Sequence, residues 1–179
     1  MSEQHIELHH RHRRSVHPQR RERRLLPLEE LALTVWALAA AAEQTGDEAL
    51  TAELARQLDL ALDRFCRPDG SFSAEPGDSQ VLPGPNALMI AALARGGRVL
   101  GRRRYLQGAE EARLFLKTRL TDPQGWLFAR WEDRVPSGRA DRAEHALCAL
   151  CLMELGCCAD SRFALRQGVK LARELAEQE

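Results

Sequence analysis

The chain has no long apolar run. Its longest apolar segment free of charge, Leu31–Ala42, has twelve residues, which is too short to cross a bilayer as a helix. The basic residues before this segment and the small residues within it also occur in signal peptides. Glu29 and Glu30 stand at its entrance, however, and an amphipathic sequence follows it. We therefore predict neither a membrane span nor a signal peptide.

The chain also lacks the cysteine framework of a small secreted protein. Its five cysteines are an odd number, and Cys157 and Cys158 are adjacent, whereas disulfide frameworks use even, spaced cysteines. The sequence therefore predicts a reducing, cytoplasmic location. A net charge is absent as well, because 26 Lys and Arg residues balance 26 Asp and Glu residues. At 179 residues, of which 44% are hydrophobic, the chain is large enough for one well-buried domain.

The balance of charge hides a basic N-terminal segment, residues 1–27, which has few large apolar side chains and ends at Pro27. Residues 1–24 hold seven Arg against three Glu, and most histidines of the chain lie here: His5, His9, His10, His12 and His17. Such a segment could bind metal ions weakly, RNA or an acidic surface. No aromatic residues alternate with the basic ones for base stacking, so we predict a flexible solvated arm and no nucleic-acid partner. Deleting residues 1–24 should leave the melting temperature almost unchanged.

A repeat of 55 residues dominates the rest of the chain, residues 28–179. Gly46 recurs as Gly101 and Gly156, Pro68 and Gly70 recur as Pro123 and Gly125, and Phe65 and Phe72 recur as Leu120 and Leu127. Self-similarity at a fixed period is typical of architectures whose units cannot bury their own apolar faces and stack on neighbours. We therefore predict one domain built from stacked helical units.

Each unit pairs an apolar helix with an amphipathic one. The predicted inner, apolar helices lie near 31–44, 86–100 and 141–155, and the predicted outer helices near 48–66, 103–120 and 161–177. Ala and Leu on nearly all sides of the inner helices indicate burial between neighbours, and the recurring glycines predict helix ends. Three hairpins are half of an (α/α)6 toroid. The predicted fold is therefore all-α, with three helical hairpins forming a partial (α/α)6 toroid.

One part of the chain resembles a known family. Residues 78–82, followed by the apolar segment 86–95 and by 97–101, resemble the helical C-terminal region of thioredoxin-domain-containing proteins of the spermatogenesis-associated type. The resemblance covers residues from about 78 to 155 and implies a six-hairpin toroid, more distantly similar to N-acylglucosamine 2-epimerases and other sugar-active enzymes. Pro85 stands where the family has Trp, and residues 141–146 depart from the family's Asp-Asp-Tyr-Ala-Phe. With three of six hairpins and no thioredoxin-like domain, the chain resembles a truncated and degenerate relative.

Two polar residues, Asn86 and Asp141, are 55 residues apart and open predicted inner helices at the mouth of the predicted toroid. They are candidates for contacting a sugar hydroxyl. Both residue types are also preferred helix N-caps, and Glu144 follows Asp141 at the spacing of a capping box. Capping is the favoured interpretation, and the two roles do not exclude each other.

Other candidate ligand-binding residues follow in the same region. Glu144 and His145 are adjacent, so they point about 100° apart on a helix and do not easily reach one atom. Trp131, Glu132 and Asp133 could place carboxylates beside an aromatic platform, although such a run is more often a solvated turn. No residue is assigned as catalytic, and no cofactor is predicted.

The cluster of His145, Cys148 and Cys151 has spacings that can suggest a metal or redox site. All three residues lie on one predicted helix and spread around it, whereas tetrahedral metal sites usually draw ligands from two elements. The context of a redox CxxC motif is also missing. We predict buried thiols in an apolar helix and no metal site.

The sequence therefore predicts a non-catalytic or vestigial helical-toroid module that binds carbohydrate or a protein partner. The alternative is a sugar-active enzyme, epimerase-like or glycosidase-like, that is completed by dimerisation or by a missing half. Because three hairpins leave the apolar flanks of the inner helices uncovered, we also expect a homodimer or a protein partner at the exposed hairpin edges.

Overall fold

The computed structural model describes residues 26–176, which form six α-helices and a small antiparallel sheet. The helices are α1 (Pro27–Thr45), α2 (Glu48–Phe65), α3 (Pro83–Leu100), α4 (Arg103–Arg119), α5 (Arg142–Cys158) and α6 (Arg162–Ala176), and the strands are β1 (Arg130–Glu132) and β2 (Val135–Ser137). All six predicted helices are confirmed. The predicted arm lies outside the described residues apart from Leu26 and Pro27. Across residues 26–176, no helix has the length and apolar character that a membrane span requires.

Helices α1 and α3 begin earlier than predicted, because each starts at a proline. Pro27 is the first residue of α1 and Pro83 the first residue of α3, where the missing N–H of proline costs no intrahelical hydrogen bond. The prediction that Asn86 opens α3 is therefore wrong, since the helix starts three residues before it. The end of α1 is as predicted, with Gly46 in the left-handed conformation.

The helices form three antiparallel hairpins, α1–α2, α3–α4 and α5–α6, whose inner helices α1, α3 and α5 pack side by side. The inner helices run in the same direction. At one end Gly84 of α3 faces Glu144 of α5, and at the other end Glu43 of α1 pairs with Arg95 and Arg98 of α3. The hairpins therefore follow one another along an arc.

The middle inner helix, α3, is the centre of the core. Every residue from Pro83 to Ala94 is buried. Its small side chains allow α1 and α5 to pack closely on either side: Ala87, Ala91, Ala92 and Ala94. Along these three turns, α3 exposes no side chain to an open cavity.

The repeat changes its period within the second crossing. Between the first two crossings the spacing of 55 holds, since the bridge Cys66–Phe72 recurs as Thr121–Leu127. Beyond it the spacing is 59, because Gly97 packs against Leu106 as Gly156 packs against Leu165. The prediction that Gly156 ends its helix is therefore wrong.

The residue that matches Gly101 at the new spacing is Asp160, and both have a left-handed backbone, with φ of 62° and 50°. The turn after the third inner helix thus keeps the geometry of the second one without its glycine. A non-glycine residue pays a steric cost in this conformation.

The extra residues of the second crossing belong to a β-hairpin formed by β1 and β2. Trp131 lies opposite Pro136, and the two-residue turn consists of Asp133 and Arg134. Trp131 and Val81 exchange backbone hydrogen bonds of 2.8 Å in both directions. The hairpin is thereby attached to the first crossing, on the side of the molecule where α3 and α5 begin.

Candidate functional site

Asn86 joins the first crossing to α3. Its Oδ1 accepts a hydrogen bond from the N–H of Phe72 at 2.8 Å, and its Nδ2 donates to the carbonyls of Phe72 and Leu82. The side chain is fully buried. The structure therefore corrects the prediction of an accessible sugar contact at Asn86, because its polar atoms bind the backbone and no surface of it reaches solvent.

His145 has the same role in the third hairpin. Its Nε2 accepts a hydrogen bond from the N–H of Leu127 at 3.0 Å, and its Nδ1 lies 2.9 Å from the carbonyl of Asp141. Leu127 is the repeat partner of Phe72, so His145 matches Asn86 in position and function. This pattern requires the neutral ring with its proton on Nδ1. His145 is 1% exposed, so it too is structural here.

Asp141 caps α5, as predicted. Its Oδ1 accepts a hydrogen bond from the N–H of Glu144 at 2.8 Å. Asp141 also borders a shallow cavity of about 620 Å³ with Trp126, Arg139 and His145. The guanidinium of Arg139 lies 4.1 Å above the centre of the Trp126 ring, so one face of this indole is already covered.

The largest depression lies between α4 and the two crossings, and we call it the Trp131 groove. Its volume is about 950 Å³, within the range of small-molecule sites. It is lined by residues of the first turn, of α4 and of the β-hairpin: Arg67, Pro68, Asp69, Gly70, Glu111, Leu114, Phe115, Thr118, Arg119, Trp131 and Arg134. Of the predicted candidates, only Trp131 lies here.

Trp131 is half-buried and held from two sides. Phe115 meets its ring edge-on, with 5.7 Å between the ring centres, and the guanidinium of Arg119 lies 5.9 Å from the ring centre. The backbone bonds to Val81 fix the strand that carries it. The indole is thus a rigid apolar surface beside charged groups.

Arg134 contributes to the groove from a strained backbone. Both turn residues of the hairpin have positive φ, 49° for Asp133 and 67° for Arg134. Two-residue hairpin turns of this geometry favour Asn-Gly or Asp-Gly, and a long side chain in this region is an outlier. Such strain clusters at ligand-binding sites. Within residues 26–176, neither Arg119 nor Arg134 forms a salt bridge.

The opposite wall of the groove carries carboxylates. Asp69 accepts hydrogen bonds from Ser71, and the Cβ of Glu111 approaches Gly70 so closely that an added Cβ there would lie 3.0 Å away. Burial raises the pKa of the Cys66 thiol, and the charges of Glu111 and Asp69 raise it further. Arg67 is fixed by donating to the carbonyls of residues 78 and 79.

Glu132 is not in the groove, although its neighbour Trp131 is. Successive side chains of a strand point to opposite faces, so Glu132 lies on the other face of the hairpin, with Arg130 and Ser137, which are hydrogen-bonded at 3.0 Å. The groove takes its carboxylates from Asp69 and Glu111 instead. Sequence reasoning missed both, although the repeated Pro-x-Gly turn around Asp69 marked the first of them.

The cysteines of α5 are buried thiols, as predicted. Cys148 is fully buried and points to the carbonyl of Pro83 at 3.7 Å, and burial raises the pKa of Cys151 to about 12. In the part of the chain that the structure describes, no group of three His, Cys, Asp or Glu side chains could hold a metal ion.

Comparisons with known proteins support the toroid. No protein-family model and no curated protein sequence matches the chain. Among solved structures it is similar to the cellobiose 2-epimerase of Spirochaeta thermophila DSM 6192, with a TM-score of 0.73 and 16% identity over 82% of this chain and 42% of the epimerase. A D-mannose isomerase has a TM-score of 0.74 and 14% identity over 82% of this chain and 40% of its own.

A glycoside hydrolase family 76 mannosidase from Bacteroides thetaiotaomicron VPI-5482 is similar too, with a TM-score of 0.68 and 7% identity over 84% of this chain and 44% of its own. Identities this low show the fold alone. The chain is an all-α protein whose three hairpins form part of an (α/α)6 toroid, and it spans less than half the length of these neighbours. The closer resemblance to thioredoxin-domain-containing proteins finds no support among them and stays a prediction.

Proposed function

We propose that this protein is a non-catalytic carbohydrate-binding module of the helical-toroid type, with the Trp131 groove as its site. The observation that carries the proposal is the strained Arg134, which the hairpin holds beside a rigid indole in a groove of ligand size. An aromatic face packs against the apolar C–H face of a sugar ring, while charged groups around it bind the hydroxyls.

The charges of the groove favour a sugar with an anionic group. Arg119 and Arg134 reach the groove near Trp131, and guanidinium groups bind carboxylates and phosphates with two parallel hydrogen bonds. Asp69 and Glu111 on the opposite wall are acceptors for sugar hydroxyls. A uronic acid or a phosphorylated sugar fits this distribution better than a neutral one.

The inner helices give no support for catalysis. Acid–base chemistry on a sugar needs a proton donor and an ionised partner across a cavity. His145 is occupied by the backbone of residue 127, and the pKa of Glu43 is lowered by hydrogen bonds from Arg98 and then Arg95, which keeps this carboxylate ionised. These groups suit structural roles.

A sugar-active enzyme is the alternative, and the names of the structural neighbours favour it, since these include sugar epimerases, an isomerase and glycosidases. Such an activity would need residues from a second half. Incubation with N-acylated hexosamines and with disaccharides, followed by analysis for epimers and hydrolysis products, tests this alternative directly.

Isothermal titration calorimetry tests the proposed module. The protein is titrated with cellobiose, with a glucuronic acid-containing disaccharide and with glucose 6-phosphate. We expect an anionic sugar to bind more tightly than cellobiose, and Trp131→Ala to weaken that binding at least tenfold. The matched control is Trp126→Ala, which removes the indole of the neighbouring cavity and should leave binding unchanged. Absence of binding to every probe, or loss of binding in the control alone, contradicts the proposal.

A further inference from the structure

The two ends of the arc each expose an uncharged stripe of an inner helix. On α5 the stripe consists of Ala143, Ala146, Leu150 and Cys157, all exposed and spaced by three, four and seven residues, with Leu150 61% exposed. These spacings place them on one face of the helix. The face is unpartnered although the other sides of α5 are buried in the core.

On α1, at the opposite end of the arc, the exposed stripe includes Leu33, Thr34 and Ala37, with Leu33 39% exposed. Inner helices that are apolar on more than one side are typical of helices packed between two neighbours. Within residues 26–176, α3 has such neighbours on both sides, whereas α1 and α5 have an inner neighbour on one side.

The existing junctions between hairpins show what a further junction would require. The first places equivalent ends of parallel helices together and closes them with polar pairs: Glu43 of α1 with Arg95 and Arg98 of α3, and Asp59 of α2 with Arg104 of α4. Small side chains fill the space between the inner helices. A new junction of the same geometry therefore needs a small-residue stripe and opposite charges.

The two ends of the arc have complementary charges. The first hairpin, residues 27–65, has eight acidic and two basic side chains, whereas α6 exposes four basic side chains against one acid, Glu174. At the starts of the inner helices, Glu30 on α1 and Arg142 on α5 are both exposed. In a parallel arrangement the first turns of the two helices meet, so these two side chains would face each other.

We propose that a second copy of this chain covers both stripes, with α5–α6 of each protomer packed against α1–α2 of the other around a twofold axis. Three hairpins match 42% of a six-hairpin epimerase, so one copy spans about half of a ring. Two such contacts, related by the twofold axis, close the ring without leaving a free end. The assembly does not depend on the carbohydrate site, which lies away from the stripes.

Analytical ultracentrifugation of the full chain tests this assembly. We expect a reversible dimer whose dissociation constant rises when NaCl is raised from about 0.05 M to about 0.5 M, because salt screens the charges of the two ends. Leu150→Arg should weaken dimerisation at least tenfold. The matched control is Val135→Arg, since Val135 is 60% exposed on the β-hairpin and outside the proposed contact; it should dimerise normally.

A charge exchange tests the pairing itself. Arg142→Glu should weaken the dimer, and the double variant Arg142→Glu with Glu30→Arg should restore it, since each protomer then presents the reversed pair at both contacts. A monomer at all concentrations, equal effects of Leu150→Arg and Val135→Arg, or no recovery in the double variant would overturn the proposal. Circular dichroism and melting curves show that each variant is folded.

Discussion

Replacing Arg134 by glycine should make the protein more stable and weaken its ligand binding in one step. Arg134 has φ of 67°, and the left-handed conformation costs an L-residue about 1–2 kcal/mol. Glycine removes this cost but loosens the unfolded chain, which returns roughly 0.4–1 kcal/mol. The expected net gain is about 0.5–1 kcal/mol, or a melting temperature higher by about 1–4 °C for a domain of this size.

The same substitution removes the guanidinium from the Trp131 groove. A hydrogen bond to a charged group contributes about 1.5–3 kcal/mol, so we expect binding of a glucuronic acid-containing disaccharide to weaken by about one to two orders of magnitude. Differential scanning calorimetry and isothermal titration calorimetry on the same samples measure the two effects.

Two further variants separate strain from side-chain chemistry. Arg134→Ala keeps the Cβ and its strain, so it should lose binding without gaining stability. Asp160→Gly relieves the same kind of backbone at φ of 50° in the turn between α5 and α6, so it should gain stability without losing binding. An Arg134→Gly variant that binds as tightly as the parent protein would refute the idea that function maintains this strain.

Three other outcomes follow from the packing. Asn86→Leu should destabilise the fold by about 2–4 kcal/mol in chemical denaturation, because it leaves a buried N–H and carbonyl of the first crossing without their partner. Gly70→Ala should cost more stability than Gly77→Ala: both have φ near 80°, but only a Cβ at Gly70 would press on α4, and equal losses would contradict this close approach. Cys151 should stay unreactive towards a thiol reagent at pH 8, since burial raises its pKa to about 12, while the exposed Cys157 reacts; rapid labelling of both would contradict the burial.

The helices could be predicted from the sequence because each follows from local patterns. The apolar and amphipathic periods, the glycine after α1 and the capping aspartate of α5 all act within a few residues of the element they define. Gly156 misled the prediction for the same reason. Its spacing of 55 from Gly101 is real, but only tertiary packing against Leu165 shows that it matches Gly97.

The groove could not be predicted because it is assembled from distant segments. Trp131 was a candidate on its residue type, yet its partners come from the first turn and from α4, up to 64 residues away in the case of Arg67. The strain at Arg134 depends on a turn conformation that its residue type disfavours. Asn86 and His145 were singled out as polar residues near the starts of inner helices, and the sequence alone did not show that each binds the backbone of the preceding crossing.

The change of period connects the repeat to the groove. In both crossings a glycine turn packs on an outer helix, Gly70 on Glu111 of α4 and Gly125 on Lys170 and Glu174 of α6. What distinguishes the first is the β-hairpin of the following crossing, whose Trp131 and Arg134 close one side of the depression. The insertion is attached by Trp131 to Val81 and leaves the helical register of each hairpin intact. Because the three hairpins supply the packing and the insertion supplies the indole and the strained guanidinium, a ligand site at this position belongs to the insertion and not to the toroid.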